Sequence, residues 1–496
     1  MERISHGAFL LDETATAEPP GNGNTVPCPE RSRFDYLFPT LQDPPAARLP
    51  QNGDTVRALI KLGDSMSDPE PAGFAPADPA FDSKTPSVYS YFGQFLTHEI
   101  VLEITTKDKT FGSDTLPLSR SQVQQLQNAR NSLLDLDSVY GPMLDASGKC
   151  FPVPLAGKEM EVGSAADIHV PGTDLPREKT SPYTARIGDR RNDSNLITSQ
   201  MHLAFLCAHN KLARLGETLE SAQVILRQHF QALIVNDYLP RVVDDEVRQS
   251  VLNNEIDALK VLENEPFMPV EFSAAAFRFG HSMLRNRYRY NKHYEKVRLS
   301  ELFEPKTDGY YPVPDEWIID WSGFLEGGPN VARLIDTRLV QPTRRLIDSK
   351  GEPLKTLTDS STGQPVRPSL AALDLLRGYL MGLPTGQKVA AKLGETALTR
   401  DEIESVAGPE QGEILKEFGL SSETPLWYYI LAEAAKQKEG TCLGRVGSTI
   451  VAGVLISLVR HSPDSILRNA WTPDPRIGNE HFDLAQLFRF AEVLTD

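Results

Sequence analysis

The chain has 496 residues, of which 40% are hydrophobic and 24% charged, a composition typical of soluble globular proteins, and its length allows roughly three domains. Its 51 basic and 67 acidic residues give a net charge of −16. A surface of that sign repels nucleic acid and anionic lipid, so we expect neither as a partner.

The N-terminal segment is rich in Pro, Gly and Asp and carries the apolar anchors Phe34, Tyr36, Leu37 and Phe38. This composition predicts a surface arm lying on the core. The segment lacks the continuous apolar run of a signal peptide. We therefore expect a soluble protein that is cytoplasmic or exported without a recognisable signal peptide.

Helical periodicity dominates after residue 87. Apolar residues recur at i, i+3 and i+4 over 120–135, 199–217, 219–238, 271–285, 369–381, 387–394, 401–418, 424–436 and 447–459. The longest apolar run, Ile450 to Val459, is far shorter than the ~20 residues of a membrane helix. Strand-like alternation is scarce, so we predict a mainly α fold with long loops and little β structure. Its parts are an N-terminal surface arm over 1–55 and one large domain over 56–496, with a core at about 87–390 and a C-terminal helical part at about 391–496.

The cysteines are Cys28, Cys150, Cys207 and Cys442. They are far apart in the sequence and form no CxxC pair. We therefore expect neither a disulfide framework nor a thiolate metal site, but reduced, buried thiols.

One predicted helix begins near Ser87, its expected N-cap, and continues through Tyr-Phe-Gly-Gln94-Phe-Leu-Thr-His98-Glu-Ile. Gln94 and His98 lie four residues apart in an apolar run, and residues at i and i+4 share a helix face. The amide and the imidazole should therefore point inward, where buried polar groups need partners. Taken alone, the pattern favours a structural histidine over a catalytic one.

A second segment, Asn131-Ser-Leu-Leu-Asp135-Leu-Asp137-Ser-Val-Tyr-Gly141, alternates oxygen donors on a short loop. Such a loop suits a hard cation such as Ca²⁺. A turn whose carboxylates face water is an open alternative. The DxDx(T/V) motif of haloacid-dehalogenase phosphotransferases is a weaker one, because polar residues precede the motif where that family needs an apolar strand.

Two further segments carry candidate site residues. In Gly-Asp-Arg-Arg191-Asn, an arginine before a predicted helix can reach an interior site, but a guanidinium is costly to bury without an anion or a developing negative charge. In Ala-Phe-Arg278-Phe-Gly280-His281-Ser, His281 falls on an inward face, and Gly280 would let a large group approach the backbone. Each segment alone fits a structural role better than a functional one.

Together these features match the needs of a haem peroxidase. One interior histidine binds iron, another moves the proton of the peroxide, and an arginine stabilises charge as the O–O bond breaks. At these residues the sequence resembles the animal-type haem peroxidases of the peroxidase–cyclooxygenase superfamily, and most of all their bacterial members. The resemblance keeps the motif order from about Phe34 to the C-terminus.

The resemblance implies a role for each matched residue. His98 would be the distal base, Gln94 its partner and Arg191 the distal arginine. Haem would be bound by His281 at the iron, with Asp374 accepting from the His281 N–H, Arg377 at a propionate and Arg278 in the same proximal motif. Calcium would be bound by Glu99, Asn131, the Leu133 carbonyl, Asp135 and Asp137.

The sequence also departs from the family pattern. Thr97 and Ser194 stand where mammalian members form haem esters, so we predict non-covalent haem b. Asp374 replaces an Asn, which should give the proximal imidazole more anionic character and lower the Fe(III)/Fe(II) potential, unless Asp374 pairs with Arg377 instead. In the calcium set, Glu99 replaces Asp and Asp137 replaces Ser, so the loop gains a charge and one longer ligand.

The implied activity is reduction of hydrogen peroxide and, through a ferryl haem intermediate, oxidation of phenols, aromatic amines, halides or thiocyanate. Without ester links the haem should oxidise iodide, bromide or aromatic donors rather than chloride. A fatty-acid dioxygenase is the first alternative, but its radical tyrosine lies three residues before the proximal histidine, where this chain has Arg278. A non-enzymatic haem- and calcium-binding scaffold is the second, and the complete set of His98, Arg191 and His281 argues against it.

Overall fold

The computed structural model of the protein describes residues 25–42, 47–68, 79–103, 116–145, 149–166, 169–180, 183–299, 301, 312–344, 357–358, 365–468 and 470–494. Residues 1–24 and 43–46 of the predicted N-terminal arm lie outside these ranges.

Helices dominate the described chain, as the sequence predicts. They are α1 (Gly53–Ser65), α2 (Val88–Ile100), α3 (Arg120–Gln124), α4 (Asp137–Tyr140), α5 (Leu196–Arg214), α6 (Leu219–Ala232), α7 (Leu239–Val242), α8 (Asp245–Leu252), α9 (Val270–Ser273), α10 (Leu370–Leu380), α11 (Gly386–Leu393), α12 (Arg400–Val406), α13 (Pro409–Glu417), α14 (Leu426–Lys438), α15 (Arg445–His461) and α16 (Leu484–Phe490). A π-helical stretch, Leu233–Tyr238, joins α6 to α7, and 3₁₀ helices span Arg190–Asp193 and Ala276–His281. Within the described ranges, no helix is both long enough and apolar enough to cross a membrane.

The strands are short and occur in two-stranded pairs. They are β1 (Phe34–Asp35), β2 (Asp82–Pro86), β3 (Met143–Leu144), β4 (Cys150–Phe151), β5 (Leu155–Ala156), β6 (Glu159–Met160), β7 (Gly163–Ser164), β8 (Pro171–Asp174), β9 (Met268–Pro269), β10 (Arg287–Tyr288), β11 (Val297–Arg298), β12 (Val331–Arg333), β13 (Leu357–Thr358) and β14 (Pro365–Val366). β1 pairs with β9 in parallel. The antiparallel pairs are β2–β12, β3–β4, β5–β6, β7–β8, β10–β11 and β13–β14.

Helix α2 lies at the centre of the core. Ser87 occupies its N-cap position, as predicted, although its side chain makes no capping hydrogen bond. Phe95 stacks on Phe205 of α5 with ring centroids 5.0 Å apart, and Phe92 meets Phe230 of α6 edge to face. Buried aromatic pairs of this kind contribute about 0.5–1.5 kcal/mol each beyond their buried area. These contacts fix the face of α2 that carries the candidate site.

Three predicted helices are interrupted. The helix predicted over 271–285 ends at Ser273 and is followed by the 3₁₀ helix Ala276–His281. The helix predicted over 120–135 stops at Gln124, because the Asn128 side chain accepts from the Leu102 N–H and donates to the Ile100 carbonyl, contacts that compete with helical pairing. The helix predicted over 401–418 is divided at Gly408, since Pro409 begins a new helix.

The four apolar anchors of the N-terminal segment, Phe34, Tyr36, Leu37 and Phe38, are at most 1% exposed. Their backbone is held by Glu271 of α9, whose carboxylate accepts from the Leu37 and Phe38 N–H groups at 2.8 and 3.1 Å. The predicted anchors are therefore buried in the core.

The expectation that all cysteines are reduced is wrong for Cys28 and Cys150, which form a disulfide. Val26 makes an antiparallel bridge with Cys150, and this pairing brings Cys28 into reach. The two sulfurs are 122 residues apart in sequence, so spacing gave no signal for the bond. Cys207 and Cys442 are partly buried free thiols.

Candidate active site

A narrow cleft lies between α2 and the 3₁₀ helix Ala276–His281. Its walls include Gly93, Gln94 and Thr97 from α2 and Arg278, Gly280 and His281 from the 3₁₀ helix. A Cβ atom built at Gly280 would meet no atom within 4 Å, so there is open space beside the proximal histidine. The cleft thus brings Gln94 of the distal motif close to His281 of the proximal motif, whereas His98 and Arg191 do not line it.

The predicted distal base, His98, lies one turn after Gln94 and is fully buried. Its Nδ1 is 2.9 Å from the Asn192 amide oxygen, and the Asn192 amide nitrogen is 3.0 Å from Nδ1 of His202. Because an amide oxygen only accepts, we assign the Nδ1 proton of the neutral form to His98. Burial lowers the pKa of His202 to about 3, so His202 is neutral and its Nδ1 accepts from the amide. One asparagine therefore fixes the tautomers of two buried histidines.

Gln94 faces the cleft with an unpartnered donor. Its side-chain nitrogen is buried and has no hydrogen-bond partner among the described residues, whereas its oxygen accepts from the Asn195 amide at 3.4 Å. Asn195 in turn caps α5 by accepting from the Thr198 N–H. A buried donor without a partner costs free energy, and a ligand acceptor in the cleft would remove that cost.

The predicted distal arginine, Arg191, lies in the 3₁₀ helix that precedes α5 and is 8% exposed. Its guanidinium pairs with Asp189 at 2.6 Å and donates to the His98 carbonyl at 2.9 Å. Burial alone would raise the pKa of Asp189, but the nearby Arg191 and Arg130 hold it below its usual range. Arg191 is thus fixed beside the distal histidine by a carboxylate that stays ionised.

On the proximal side, Asp374 of α10 joins two residues of the proximal motif. Its Oδ2 is 2.5 Å from Nδ1 of His281, and its other oxygen accepts from Arg278. Arg278 also donates to the Ser273 carbonyl at 3.1 Å. The geometry matches the predicted Asp374–His281 contact.

The alternative pairing of Asp374 with Arg377 is wrong. The Arg377 guanidinium lies 3.3 Å from Glu103, and burial lowers its pKa to about 10. Arg278, which the sequence placed only in the proximal motif, supplies the guanidinium that binds Asp374.

The predicted calcium ligands lie in one region, and the side chains of Glu99, Asn131, Asp135 and Asp137 each make at least one hydrogen bond to a protein group. The Glu99 carboxylate accepts from the N–H groups of Asp137 and Ser138 at 2.5 and 2.8 Å. Asn131 uses its oxygen to accept from the Leu133 N–H and its nitrogen to donate to Asp135. Burial, followed by the charges of Asp135 and Asp137, raises the pKa of Glu99 to about 8. Among the described residues, no group of three or more His, Cys, Asp or Glu side chains is arranged to hold a metal ion.

No role was predicted for Asn192 and His202 from the sequence. A signal was present, because His202 lies in an apolar helical run like that of His98. Two buried neutral imidazoles need a partner that donates to one and accepts from the other, and an Asn or Gln amide does both. Asp189 and Arg130 gave no comparable signal.

Comparisons with known proteins are consistent with this geometry. The family model for animal haem peroxidases matches residues 83–455. Peroxidasin of Drosophila melanogaster is 27% identical over 234 residues, which are 45% of this chain and 14% of peroxidasin, so the match spans a small part of that protein. Peroxidase A from Dictyostelium discoideum is similar in structure over 96% of this chain and 97% of its own, with a TM-score of 0.60 and 17% identity. A fatty acid α-dioxygenase from Oryza sativa is similar over 89% and 77%, with a TM-score of 0.57 and 12% identity. At identities of 17% and 12%, these two structural similarities are evidence for the fold only.

Proposed function

This chain belongs to the animal haem peroxidase family, and from that membership we propose that it binds haem b, reduces hydrogen peroxide and oxidises small donors. The observation that carries the proposal is the cleft flanked by His281 on one side and by the helix of Gln94 and His98 on the other. Both histidines are buried, and each has its Nδ1 held by a side chain from another element.

Haem fits the residues that are present. With its Nδ1 engaged by Asp374, His281 would ligate the iron through Nε2, and the open space beside Gly280 would admit the porphyrin edge. Gln94 offers a buried donor on the opposite wall. When bound, haem would supply the iron that takes up peroxide and the oxidising equivalents passed on to donors. Arg278 and Arg377 are already paired with Asp374 and Glu103, respectively. Each would contact a propionate only while its guanidinium also binds that carboxylate.

The chain's own contribution is a proton transfer. Since the Nδ1–H of His98 donates to Asn192, Nε2 is the atom that would take a proton from hydrogen peroxide and return it to the leaving oxygen. Gln94 would orient the peroxide. Arg191 would stabilise the negative charge that develops on the leaving oxygen, and Asp189 keeps its guanidinium in place for that step.

The haem is proposed to be held without covalent bonds. Thr97 donates its hydroxyl to the Gly93 carbonyl at 2.9 Å, and neither Thr97 nor Ser194 carries the carboxylate that a haem ester requires. Coordination by His281, propionate contacts and packing would then retain the cofactor. We propose iodide, bromide, thiocyanate, phenols and aromatic amines as donors, in preference to chloride.

Calcium, the other predicted cofactor, does not fit the loop as folded. The carboxylates of Glu99 and Asp137 and the amide of Asn131 already bind protein donors or acceptors. No step of the proposed activity depends on it.

The fatty-acid dioxygenase alternative is supported by fold likeness alone. At the position of the radical tyrosine stands Arg278, which is held by Asp374 and cannot form a tyrosyl radical. Oxygen uptake with a fatty acid in the absence of peroxide would favour this alternative over the peroxidase.

His98→Ala tests the proposal. It should retain the ferric Soret band but slow the peroxide-dependent change of that band by about 100- to 10,000-fold, the usual contribution of a positioned base. Stopped-flow absorbance measures the rate. A matched control is His209→Ala, since His209 is equally buried but binds Tyr140 and the Lys158 carbonyl instead. A wild-type rate in His98→Ala would refute the role of His98.

A further inference from the structure

Arg130, the residue directly before the oxygen-rich loop, has its charge buried within that loop. Its side chain is 4% exposed. One guanidinium nitrogen is 2.9 Å from the Asp137 carboxylate, and another is 2.9 Å from the Asp189 carboxylate and donates to the Gly188 carbonyl. A guanidinium stays charged in proteins and binds carboxylates in fixed geometry, so this loop already contains a permanent cation.

A calcium ion would need the same oxygens. Ca²⁺ takes six to eight oxygen ligands at about 2.3–2.6 Å. The Glu99 carboxylate spans the first two N–H groups of α4, and the Asn131 oxygen accepts from the Leu133 N–H. Asp135 keeps one buried oxygen without a hydrogen-bond partner, which is far short of a coordination shell.

Charge opposes calcium at this position as well. An ion bound to the Asp137 carboxylate would lie within a few ångströms of the Arg130 guanidinium, which binds the same carboxylate. Two positive groups at that separation in a buried region repel strongly. The ion and the guanidinium are therefore competitors for Asp137.

We propose that the Arg130 guanidinium takes the place of the calcium ion in this chain, so that the loop over 131–141 keeps its fold without a bound divalent cation. The Arg130 guanidinium is also linked to the active site, because Asp189 pairs with both Arg130 and Arg191. The series Asp137–Arg130–Asp189–Arg191 thus connects the loop to the distal arginine through ion pairs. This inference does not depend on the haem chemistry, since metal content and thermal stability test it.

The first experiment uses the wild-type holoprotein. Elemental analysis after dialysis should find calcium well below one ion per chain, and the melting temperature should be the same in excess chelator and in excess calcium chloride. One calcium per chain, or a melting temperature that falls in chelator, would overturn the proposal whatever the peroxidase activity is.

The second experiment compares Arg130→Gln with Arg177→Gln. Arg177 is a matched control, because it is 6% exposed and lies between Asp174 and Asp193 at 2.7 Å from each. Both variants should melt below the wild type, but calcium should restore part of the loss only in Arg130→Gln. Wild-type stability of Arg130→Gln in chelator, or an equal response of both variants to calcium, would contradict the replacement. The ferric Soret band recorded in parallel separates loss of haem from loss of the loop.

Discussion

Asn192 is the side chain on which the protonation state of the proposed distal base depends. Replacing Asn192 with Leu keeps the approximate shape but removes both its 2.9 Å contact to His98 and its 3.0 Å contact to His202. All three residues are fully buried, so bulk solvent does not contact the two imidazoles. Leaving a buried donor unpaired costs about 1–3 kcal/mol. If misorientation of His98 raises the activation free energy by the same amount, the peroxide reaction should slow by about 5- to 150-fold.

The assay is stopped-flow measurement of the Soret change after mixing with peroxide, over a range of pH. Asn192→Asp serves as a second probe, because it keeps an acceptor for the His98 Nδ1–H and adds negative charge. That charge should raise the pKa of His98 and move the acidic limb of the rate profile to higher pH. If His98 is not the base of the peroxide reaction, the acidic limb should not move.

The matched control for general destabilisation is Asn210→Leu. Asn210 is also a buried amide, and it makes two hydrogen bonds to the backbone of Met160 at 2.7 and 2.9 Å. It should lower stability without slowing the peroxide reaction. Equal slowing by Asn210→Leu and Asn192→Leu, or a wild-type rate in haem-loaded Asn192→Leu, would refute the reasoning.

The remaining predictions concern the proximal side, haem attachment and pH. Asp374→Asn replaces a charge-assisted hydrogen bond to His281 by a neutral one, a difference of about 1 kcal/mol. The Fe(III)/Fe(II) potential, measured by spectroelectrochemistry, should therefore rise by about 40 mV. An unchanged potential would refute the proposed effect of Asp374 on His281. Acid-acetone should extract all haem from the protein, and the extracted group should have the mass of unmodified haem b, whereas haem retained on the chain would contradict non-covalent binding. Burial raises the pKa of Glu271 from 4.5 to about 7, so the folded state binds its proton more tightly than the unfolded state. The free energy of unfolding should therefore fall by up to about 3 kcal/mol as pH rises from about 4.5 to 7 and level off above. Denaturant titrations of Glu271→Gln should lack this slope.

The distal helix could be predicted from the sequence because its signals are local. Ser87 marks its beginning, and the four-residue spacing of Gln94 and His98 places both on one buried face. His281 was also expected on an inward face beside a permissive glycine and is buried, although the α-helix predicted around it is a 3₁₀ helix. Such predictions need only helical geometry and an apolar surrounding run.

The partners of these residues could not be predicted in the same way. Asp374 meets His281 across 93 positions of sequence, a contact that only the family resemblance predicted, and Asn192 meets His98 across 94, a contact that was not predicted. Only the packed helices determine which side chains meet. The proposed replacement of calcium depends on a contact of the same kind: the oxygen donors were visible in the sequence, but nothing local indicated that Arg130 would bind Asp137.

The disulfide between Cys28 and Cys150 closes a loop that contains α1, α2, α3 and α4. In the unfolded chain, a cross-link around a loop of about 100 residues removes conformational freedom equivalent to about 4.7 kcal/mol. Such bonds persist where thiols are oxidised and are lost where glutathione keeps them reduced. The stability of this protein therefore depends on the redox state of its surroundings.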